Sequence, residues 1–189
     1  MNNIYSLIIH TCSFNRGSNR NMAMTTLATS DACDANAKLL SNGDLRMLPP
    51  IFNIYGQRRA FSGPIVTVKV FEDNVLVKEV LKTGGEGRVL VVDGGGSMGC
   101  AILGGKLAQL GHDMGWVGVV VNGCIRDVDE ISRCDIGIRA LASVPRRPSK
   151  NGYGEKHIPV YIRGTLIRDG EWLYADSDGI LISKTQLSI

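Results

Sequence analysis

An arginine and three acids follow directly on an apolar stretch in "VVVNGCIRDVDE", residues 119–130. Arg126 adjoins Asp127, and Asp129 and Glu130 follow after Val128. A guanidinium can hold a carboxylate through two parallel hydrogen bonds, and a carboxylate can bind a divalent cation. The same pair could also be a local ion pair whose acid caps a helix. The pattern therefore leaves two interpretations, a structural cap or an anion and metal site.

A glycine-rich turn, "GGGSMG" at residues 94–99, has the G-x-G-x-x-G spacing of a dinucleotide-binding loop. It follows the apolar run "RVLVVD" and opens "CAILGGKLAQLGHDMG", which predicts a helix interrupted at Gly104 and Gly105. Asp93 would put a negative charge near a pyrophosphate, and no ribose-binding acid ends the next strand. We expect no dinucleotide site. A new helix N-terminus at Gly104–Gly105 would instead present free amides to an anion.

The elements that must position these residues follow from the apolar pattern. Two buried strands, in "RVLVVD" and "WVGVVVNG", flank the helical segment and predict a central βαβ unit with a parallel pair. We also predict a helix over "TSDACDANAKLLSNG", strands in "GPIVTVKVF" and "GIRALAS", a helix or strand in "NVLVKEVLK", and a short helix in "RDVDEISRC". After a surface loop at 143–154, short strands are joined by turns at Gly164, Asp169–Gly170 and Asp178–Gly179. The sequence predicts one α/β domain with a β-rich C-terminal part.

The bulk numbers favour a soluble globular protein, with 189 residues, 44% apolar, 21% charged and a net charge of +3. That charge is too small to argue for direct nucleic-acid binding, and no run approaches the length of a membrane span. Five cysteines without a CxxC pair argue against a disulfide framework and suggest a cytoplasmic setting. We expect residues 1–22 to be a disordered extension, with organelle targeting as the alternative, and residues 23–189 to form the domain.

Three stretches, "VLVVDGGGSMGCAILGG", "GWVGVVVNGCIRDVDEI" and "GEWLYADSDGILIS", resemble the RraA-like family, and the likeness runs from about Thr26 to the end. That family contains a regulator of ribonuclease activity and the class II 4-hydroxy-4-methyl-2-oxoglutarate aldolases, of which the plant-type members are most similar. The resemblance implies a swivelling β/β/α domain. It also implies a homotrimer or a dimer of trimers, with active clefts between subunits.

The resemblance also implies roles for individual residues. Arg126 and Asp127 would be catalytic, with Arg126 binding a small 2-keto acid and Asp127 ligating Mg²⁺ or Mn²⁺. The stretch that contacts substrate would be Gly104, Gly105, Lys106 and Leu107. Two of these positions depart from the family, which has Asp where this chain has Gly105 and Asn where it has Lys106. A carboxylate that would hold water or move a proton is therefore lost, and a gain of activity in Gly105→Asp would show that this loss limits the wild type.

The expected activity is retro-aldol cleavage of 4-hydroxy-4-methyl-2-oxoglutarate to pyruvate. Oxaloacetate decarboxylation is expected beside it, because both reactions pass through the pyruvate enolate, which a divalent metal stabilises. Asp129 and Glu130 would form a solvated helix face or orient water on the metal. The alternative is a non-catalytic regulator that binds and inhibits a ribonuclease or an RNA helicase. Neither the lyase nor the regulator function requires membrane binding.

Overall fold

A computed structural model of the chain describes residues 27–188. The strands are β1 (Leu45–Met47), β2 (Asn53–Tyr55), β3 (Phe61–Val70), β4 (Val89–Asp93), β5 (Ala101–Leu103), β6 (Gly118–Ile125), β7 (Gly137–Ser143), β8 (Gly154–Lys156), β9 (Val160–Ile162), β10 (Thr165–Ile167), β11 (Trp172–Ala175) and β12 (Ile180–Ser183). The helices are α1 (Thr29–Ala35), α2 (Ala37–Asn42), α3 (Val75–Leu81), α4 (Gly105–Asp113) and α5 (Val128–Ile131). The extension expected over residues 1–22 lies outside the described residues.

The strands form one large mixed sheet with the order β1-β12-β11-β3-β4-β6-β7-β2. Its centre is parallel, because β4 pairs in parallel with both β3 and β6, and β6 pairs in parallel with β7. The predicted βαβ unit is therefore confirmed in β4, α4 and β6. Strands β5 and β8 add to β6 and β3, and β9 and β10 form a separate hairpin.

The central strands are apolar throughout because both faces of the sheet are covered. On one face, Leu90 and Val92 belong to a core that includes side chains from α3, α4 and α5. On the other face, Val89 and Val91 pack in a core with side chains from β9, β10, β11 and β12. The four valine and leucine side chains of β4 are all fully buried. This arrangement of helices, sheet and β hairpin confirms the predicted α/β domain.

The segment after the glycine turn differs from the sequence-based expectation. Ala101 and Leu103 were expected on a helical face, but they lie in β5, which pairs in parallel with β6. The helix begins only at Gly105, with Gly104 as its extended N-cap residue. The turn at residues 94–99 therefore does not open a helix, and the predicted new helix N-terminus at Gly104–Gly105 is confirmed.

The first helical segment is also divided. Asn36, with φ −122° and ψ 38°, separates α1 from α2, and Gly43 ends α2 in the left-handed conformation as expected. The N-cap residue of α1 is Ala28, and Thr29 is the first residue of the helix. Its main-chain N–H and its hydroxyl both donate to the Asp176 carboxylate at 2.7 Å. These bonds attach α1 to the turn between β11 and β12.

Asp176 also organises that turn itself, which the sequence predicts at Asp178–Gly179. Its Oδ1 accepts hydrogen bonds from the amides of Asp178 and Gly179. Burial raises the pKa of this carboxyl, but the hydrogen bonds from Thr29, Asp178 and Gly179 outweigh it and lower the pKa overall.

No helix within residues 27–188 is long and apolar enough to cross a bilayer.

Candidate functional site

The sheet brings the candidate residues to one edge. Strands β3, β4, β6 and β7 run in parallel, so their carboxyl ends meet at the same side of the sheet, where ligands bind in open α/β folds. Arg126 follows the end of β6 directly. Its amide donates to the carbonyl of Leu103 at 3.0 Å, which holds the end of β5 beside it. Gly104 follows Leu103 in the sequence, so the two segments of the predicted site lie side by side.

The Asp127 carboxylate connects these two segments. Its Oδ2 accepts a hydrogen bond from the amide of Gly105 at 3.3 Å and lies 3.3 Å from Arg126 Nε. Asp127 has a φ of 57°, a left-handed conformation that aspartate adopts more readily than most residues. The residue precedes α5, but its side chain does not cap that helix. The ion pair of the structural interpretation is present, whereas the cap is not.

Gly104 permits this approach because it has no side chain. A Cβ at this position would lie 2.7 Å from Asp127 Oδ2 and 3.2 Å from Arg126 Cγ. Arg126 and Asp127 retain 27% and 33% of their side-chain exposure, so both are accessible to a small solute. The site therefore presents a cation, a carboxylate and the amide end of α4 within one accessible surface.

Glu130 occupies the space beside Gly105. A Cβ at Gly105 would lie 2.0 Å from Glu130 Oε2 and 2.6 Å from Glu130 Cβ. The carboxylate of Glu130 therefore lies where a side chain at position 105 would be. Asp129, which the sequence grouped with Glu130, is exposed and makes no side-chain hydrogen bond or ion pair with residues 27–188. The structure separates two acids that the sequence could not distinguish.

The remaining two residues of the substrate-binding stretch contribute differently. Lys106 is exposed in the first turn of α4, and its ammonium makes no ion pair within the described part of the chain. Leu107 is half-buried and packs against the core beneath the helix. Of this stretch, only the backbone of Gly104 and Gly105 is therefore in contact with Arg126 or Asp127 among the described residues.

The glycine turn of residues 94–99 is satisfied internally. The Asp93 carboxylate accepts hydrogen bonds from the amide of Gly95 at 3.0 Å and from Asn122 Nδ2 at 2.9 Å. Both Asp93 and Asn122 are buried. A buried carboxylate already receives these donors, which would otherwise be available to a phosphate, so the arrangement agrees with the argument against a dinucleotide site.

Within residues 27–188, the buried cysteines are poor candidates for a nucleophile. Cys100 and Cys124 are buried, and burial raises the pKa of each thiol. Among residues 27–188 there is no cluster of three or more His, Cys, Asp or Glu side chains placed to hold a metal ion. A metal at this site would therefore have few protein ligands, with Asp127 the carboxylate best placed to contribute.

One buried polar residue was missed by the sequence analysis. Arg139, in β7, is 1% exposed, and its guanidinium lies 5.2 Å from the centre of the Phe61 ring. It donates to the carbonyls of Arg59, Ile138 and Asp176, and burial lowers its pKa to about 10. In the sequence, a single arginine within the apolar strand "GIRALAS" indicated that a buried charged residue could lie there. Arg139 borders a cavity of about 650 Å³ that neither Arg126 nor Asp127 lines.

Comparisons with known proteins agree with the fold. The family model RraA-like, described as Aldolase/RraA, matches residues 29–182. An Arabidopsis thaliana relative named "Putative 4-hydroxy-4-methyl-2-oxoglutarate aldolase 3" is 70% identical over 166 residues, which cover 88% of this chain and 100% of the relative. A Cupriavidus necator relative named "Putative 4-hydroxy-4-methyl-2-oxoglutarate aldolase" is 51% identical over 159 residues, 84% of this chain and 96% of the relative.

A solved structure, the RNA-processing inhibitor RraA from Thermus thermophilis, superposes with a TM-score of 0.81 at 41% identity. The match covers 86% of this chain and 95% of that one. The family model spans most of the described residues, including β1 to β11 and both segments of the candidate site. This chain belongs to the RraA-like family.

Proposed function

We propose that this protein is a lyase that cleaves 4-hydroxy-4-methyl-2-oxoglutarate to pyruvate and also decarboxylates oxaloacetate. One observation carries the proposal. Arg126 Nε and the amide of Gly105 both approach Asp127 Oδ2 at 3.3 Å, so a cation, a carboxylate and a helix N-terminus converge on one accessible point. The names of the plant and bacterial relatives support the same substrate class.

Arg126 would bind the 2-keto acid. Its Nε faces Asp127, while the fork of the guanidinium can donate two parallel hydrogen bonds to a substrate carboxylate. The positive end of α4 and the free Lys106 ammonium add to the attraction for a dianionic substrate. These groups would hold the substrate beside Asp127.

Asp127 fits a hydrated divalent cation. Only its Oδ2 is used by the described residues, and Mg²⁺ typically keeps several waters beside one or two carboxylate ligands. When bound there, such a cation would act as a Lewis acid that stabilises negative charge on the keto oxygen. The left-handed backbone at Asp127 turns the carboxylate toward Gly105 and away from its own helix.

A pyruvate-coupled assay tests the proposal. Pyruvate release from either substrate should require Mg²⁺ or Mn²⁺, stop with EDTA, and fall by about 100-fold in Asp127→Ala. The exposed Asp135→Ala variant, whose carboxylate pairs with Arg58, is the matched control and should keep its activity. Absence of turnover of both substrates in every divalent metal would refute the lyase assignment.

The second candidate is a regulator that binds a ribonuclease or an RNA helicase. The solved relative is described as an RNA-processing inhibitor, and Gly105 lacks the acid that the resemblance places there. A pull-down of the purified chain against such enzymes, with Asp127→Ala beside the wild type, separates the candidates. A regulator should bind equally well in both forms, whereas a lyase should lose pyruvate release in the variant.

We further propose the homotrimer, or dimer of trimers, that the resemblance implies. Met98, Phe71 and Tyr161 each expose more than half of their residue surface, which is consistent with a subunit contact. Light scattering of the purified protein should give a mass of three or six chains. A monomer at micromolar concentration would contradict this assembly.

A further inference from the structure

The loop between β7 and β8 carries a dense run of positive charge, "RRPSK" at residues 146–150. Arg146 and Arg147 stand three and two residues before Ser149, a combination that precedes no other serine of the sequence. Serine kinases that select basic substrates bind arginines at these two positions with acidic side chains beside the substrate groove. The charge pattern therefore marks Ser149 as a candidate phosphate acceptor.

Ser149 is accessible in the folded chain. The residue is exposed, and its hydroxyl makes no hydrogen bond with residues 27–188. Residues 144–148, which precede it, belong to no helix or strand, and Pro145 and Pro148 favour an extended backbone. Protein grooves commonly bind peptides as extended segments. The loop therefore presents Ser149 and its two arginines in a form that a kinase can bind.

Ser62 provides an internal comparison. It follows a similar basic stretch, "RRAFS", in which Arg59 stands three residues before the serine. Ser62 lies within β3, however, where it pairs with Tyr174 of β11. A residue held in a sheet enters the groove of another protein only if the strand detaches. The fold therefore favours Ser149 over Ser62 as the phosphate acceptor.

The backbone around Ser149 is attached to a buried carboxylate. The Ser149 amide donates to the carbonyl of Glu72 at 2.7 Å, and Ser149 forms an isolated parallel bridge with Asp73. Asp73 is 1% exposed, and its Oδ2 accepts hydrogen bonds from the amides of Asn151 at 2.6 Å and Gly152 at 3.1 Å. Asp73 therefore holds the loop against the start of α3.

A phosphate on Ser149 would add a charge of about −1.5 to −2 beside this carboxylate. The resulting repulsion acts on a buried group, which salt screens only weakly. The three cations of the loop, Arg146, Arg147 and Lys150, are exposed, and attraction between exposed charges contributes little. Repulsion therefore outweighs attraction, and the phosphate weakens the attachment of the loop.

We propose that Ser149 is the phosphorylation site of a serine kinase that selects basic substrates, and that its phosphate releases residues 149–152 from Asp73. In the transfer, the Ser149 hydroxyl oxygen attacks the γ-phosphorus of ATP and forms the new P–O bond. The bond from that phosphorus to the β–γ bridging oxygen breaks, and ADP leaves. The hydroxyl proton passes to the catalytic aspartate of the kinase.

The same loop contacts the strand that leads to the candidate site. The carbonyl of Arg146 accepts a hydrogen bond from the amide of Ala101 at 2.9 Å, at the start of β5. At the other end of β5, the carbonyl of Leu103 accepts the amide of Arg126. Release of the loop should therefore disturb the position of Arg126. This last consequence rests on the proposed lyase function, whereas the modification itself does not.

Phosphate incorporation into the full chain tests the site. The probe is the catalytic subunit of cyclic-AMP-dependent protein kinase with ATP and Mg²⁺, and mass spectrometry maps the modified residue. We expect phosphate at Ser149 and none at Ser62, no phosphate at position 149 in Ser149→Ala, and a rate about tenfold or more lower in Arg147→Ala. Ser177→Ala, at an exposed serine between two aspartates, is the matched control and should be modified at Ser149 like the wild type.

Two results would overturn the assignment of the site. One is a folded wild-type chain that takes up no phosphate at Ser149. The other is equal modification of Ser62, because the fold would then play no part in the choice of serine.

Hydrogen exchange of the phosphorylated and unmodified chains tests the release of the loop. The amides of Asn151 and Gly152 should exchange about tenfold faster after phosphorylation, while those of α4 stay unchanged. Pyruvate release should fall about tenfold in the same sample. Unaltered exchange in a fully phosphorylated chain would overturn the release from Asp73. A wild type that releases no pyruvate would refute the lyase function and leave the exchange result standing.

Discussion

Gly105→Asp should destabilise the protein and lower its activity, although the sequence alone suggests that it restores a missing acid. A Cβ at this position would lie 2.0 Å from Glu130 Oε2, 2.6 Å from Glu130 Cβ and 2.9 Å from Glu130 Cδ. The carboxylate end of Glu130 can rotate away, but its Cβ is fixed to the backbone of α5. Either α4 or α5 must therefore shift.

The magnitude follows from opposing contributions. Overpacking of this kind costs about 1–3 kcal/mol. Replacing glycine within a helix returns about 0.5–1 kcal/mol, and an acid at a helix N-terminus adds about 0.3–1 kcal/mol. Repulsion between the new carboxylate and Glu130 opposes the stabilisation from the acid at the helix N-terminus. We expect the free energy of unfolding to fall by about 1–2 kcal/mol, which lowers the Tm by about 2–4 °C per kcal/mol for a chain of this size.

Urea denaturation with a double-mutant cycle measures this effect. Gly179→Ala is the control, because a Cβ there meets no atom within 4 Å, and it should change stability by less than about 1 kcal/mol. Gly105→Asp combined with Glu130→Gly should recover about 1 kcal/mol relative to the sum of the single variants. A Gly105→Asp protein as stable as the wild type, with faster pyruvate release, would refute the packing argument.

Three further predictions concern other described residues. Asp127→Gly should relax the positive φ and stabilise the fold by up to about 1 kcal/mol while abolishing pyruvate release, as thermal melting and the coupled assay would show. Asp176→Asn should lower the Tm at pH 7. The folded-state pKa of Asp176 is lowered, so its carboxylate stabilises the fold at pH values above the ordinary pKa of about 4. This stabilisation is lost as the pH falls through the folded-state pKa. The difference in Tm between wild type and Asp176→Asn should therefore narrow in acid. Arg139→Met should cost about 2 kcal/mol or more in urea denaturation, because three carbonyls lose their donor, whereas Arg58→Met at an exposed ion pair should cost less than about 1 kcal/mol.

The central sheet could be predicted because its strands are apolar without interruption. Only a strand covered on both faces needs that pattern, and a parallel pair joined by a helix provides it. The turns of the C-terminal strands were also predictable, since Gly164 and Gly170 both adopt positive φ. Strand β5 was not predictable. Its three residues, Ala101–Leu103, are too few to distinguish a buried strand from the first turn of an apolar helix.

The candidate site was predictable in part. Arg126 and Asp127 follow a buried parallel strand, and the ends of such strands meet at one edge of the sheet. The relation between Glu130 and Gly105 was not predictable, because it depends on how closely α5 approaches α4 in the folded chain. Gly105 looked like a lost carboxylate in the sequence. In the structure, it is the space that another carboxylate fills.

The most direct test of the proposed lyase is the rate of pyruvate release by Arg126→Lys. Lysine keeps the positive charge but cannot donate two parallel hydrogen bonds, so kcat/KM should fall by about 10- to 100-fold. The kcat/KM of the control variant Arg58→Lys, at an ion pair with Asp135, should equal that of the wild type. An Arg126→Lys enzyme with wild-type kcat/KM would contradict the account of how this site holds its substrate.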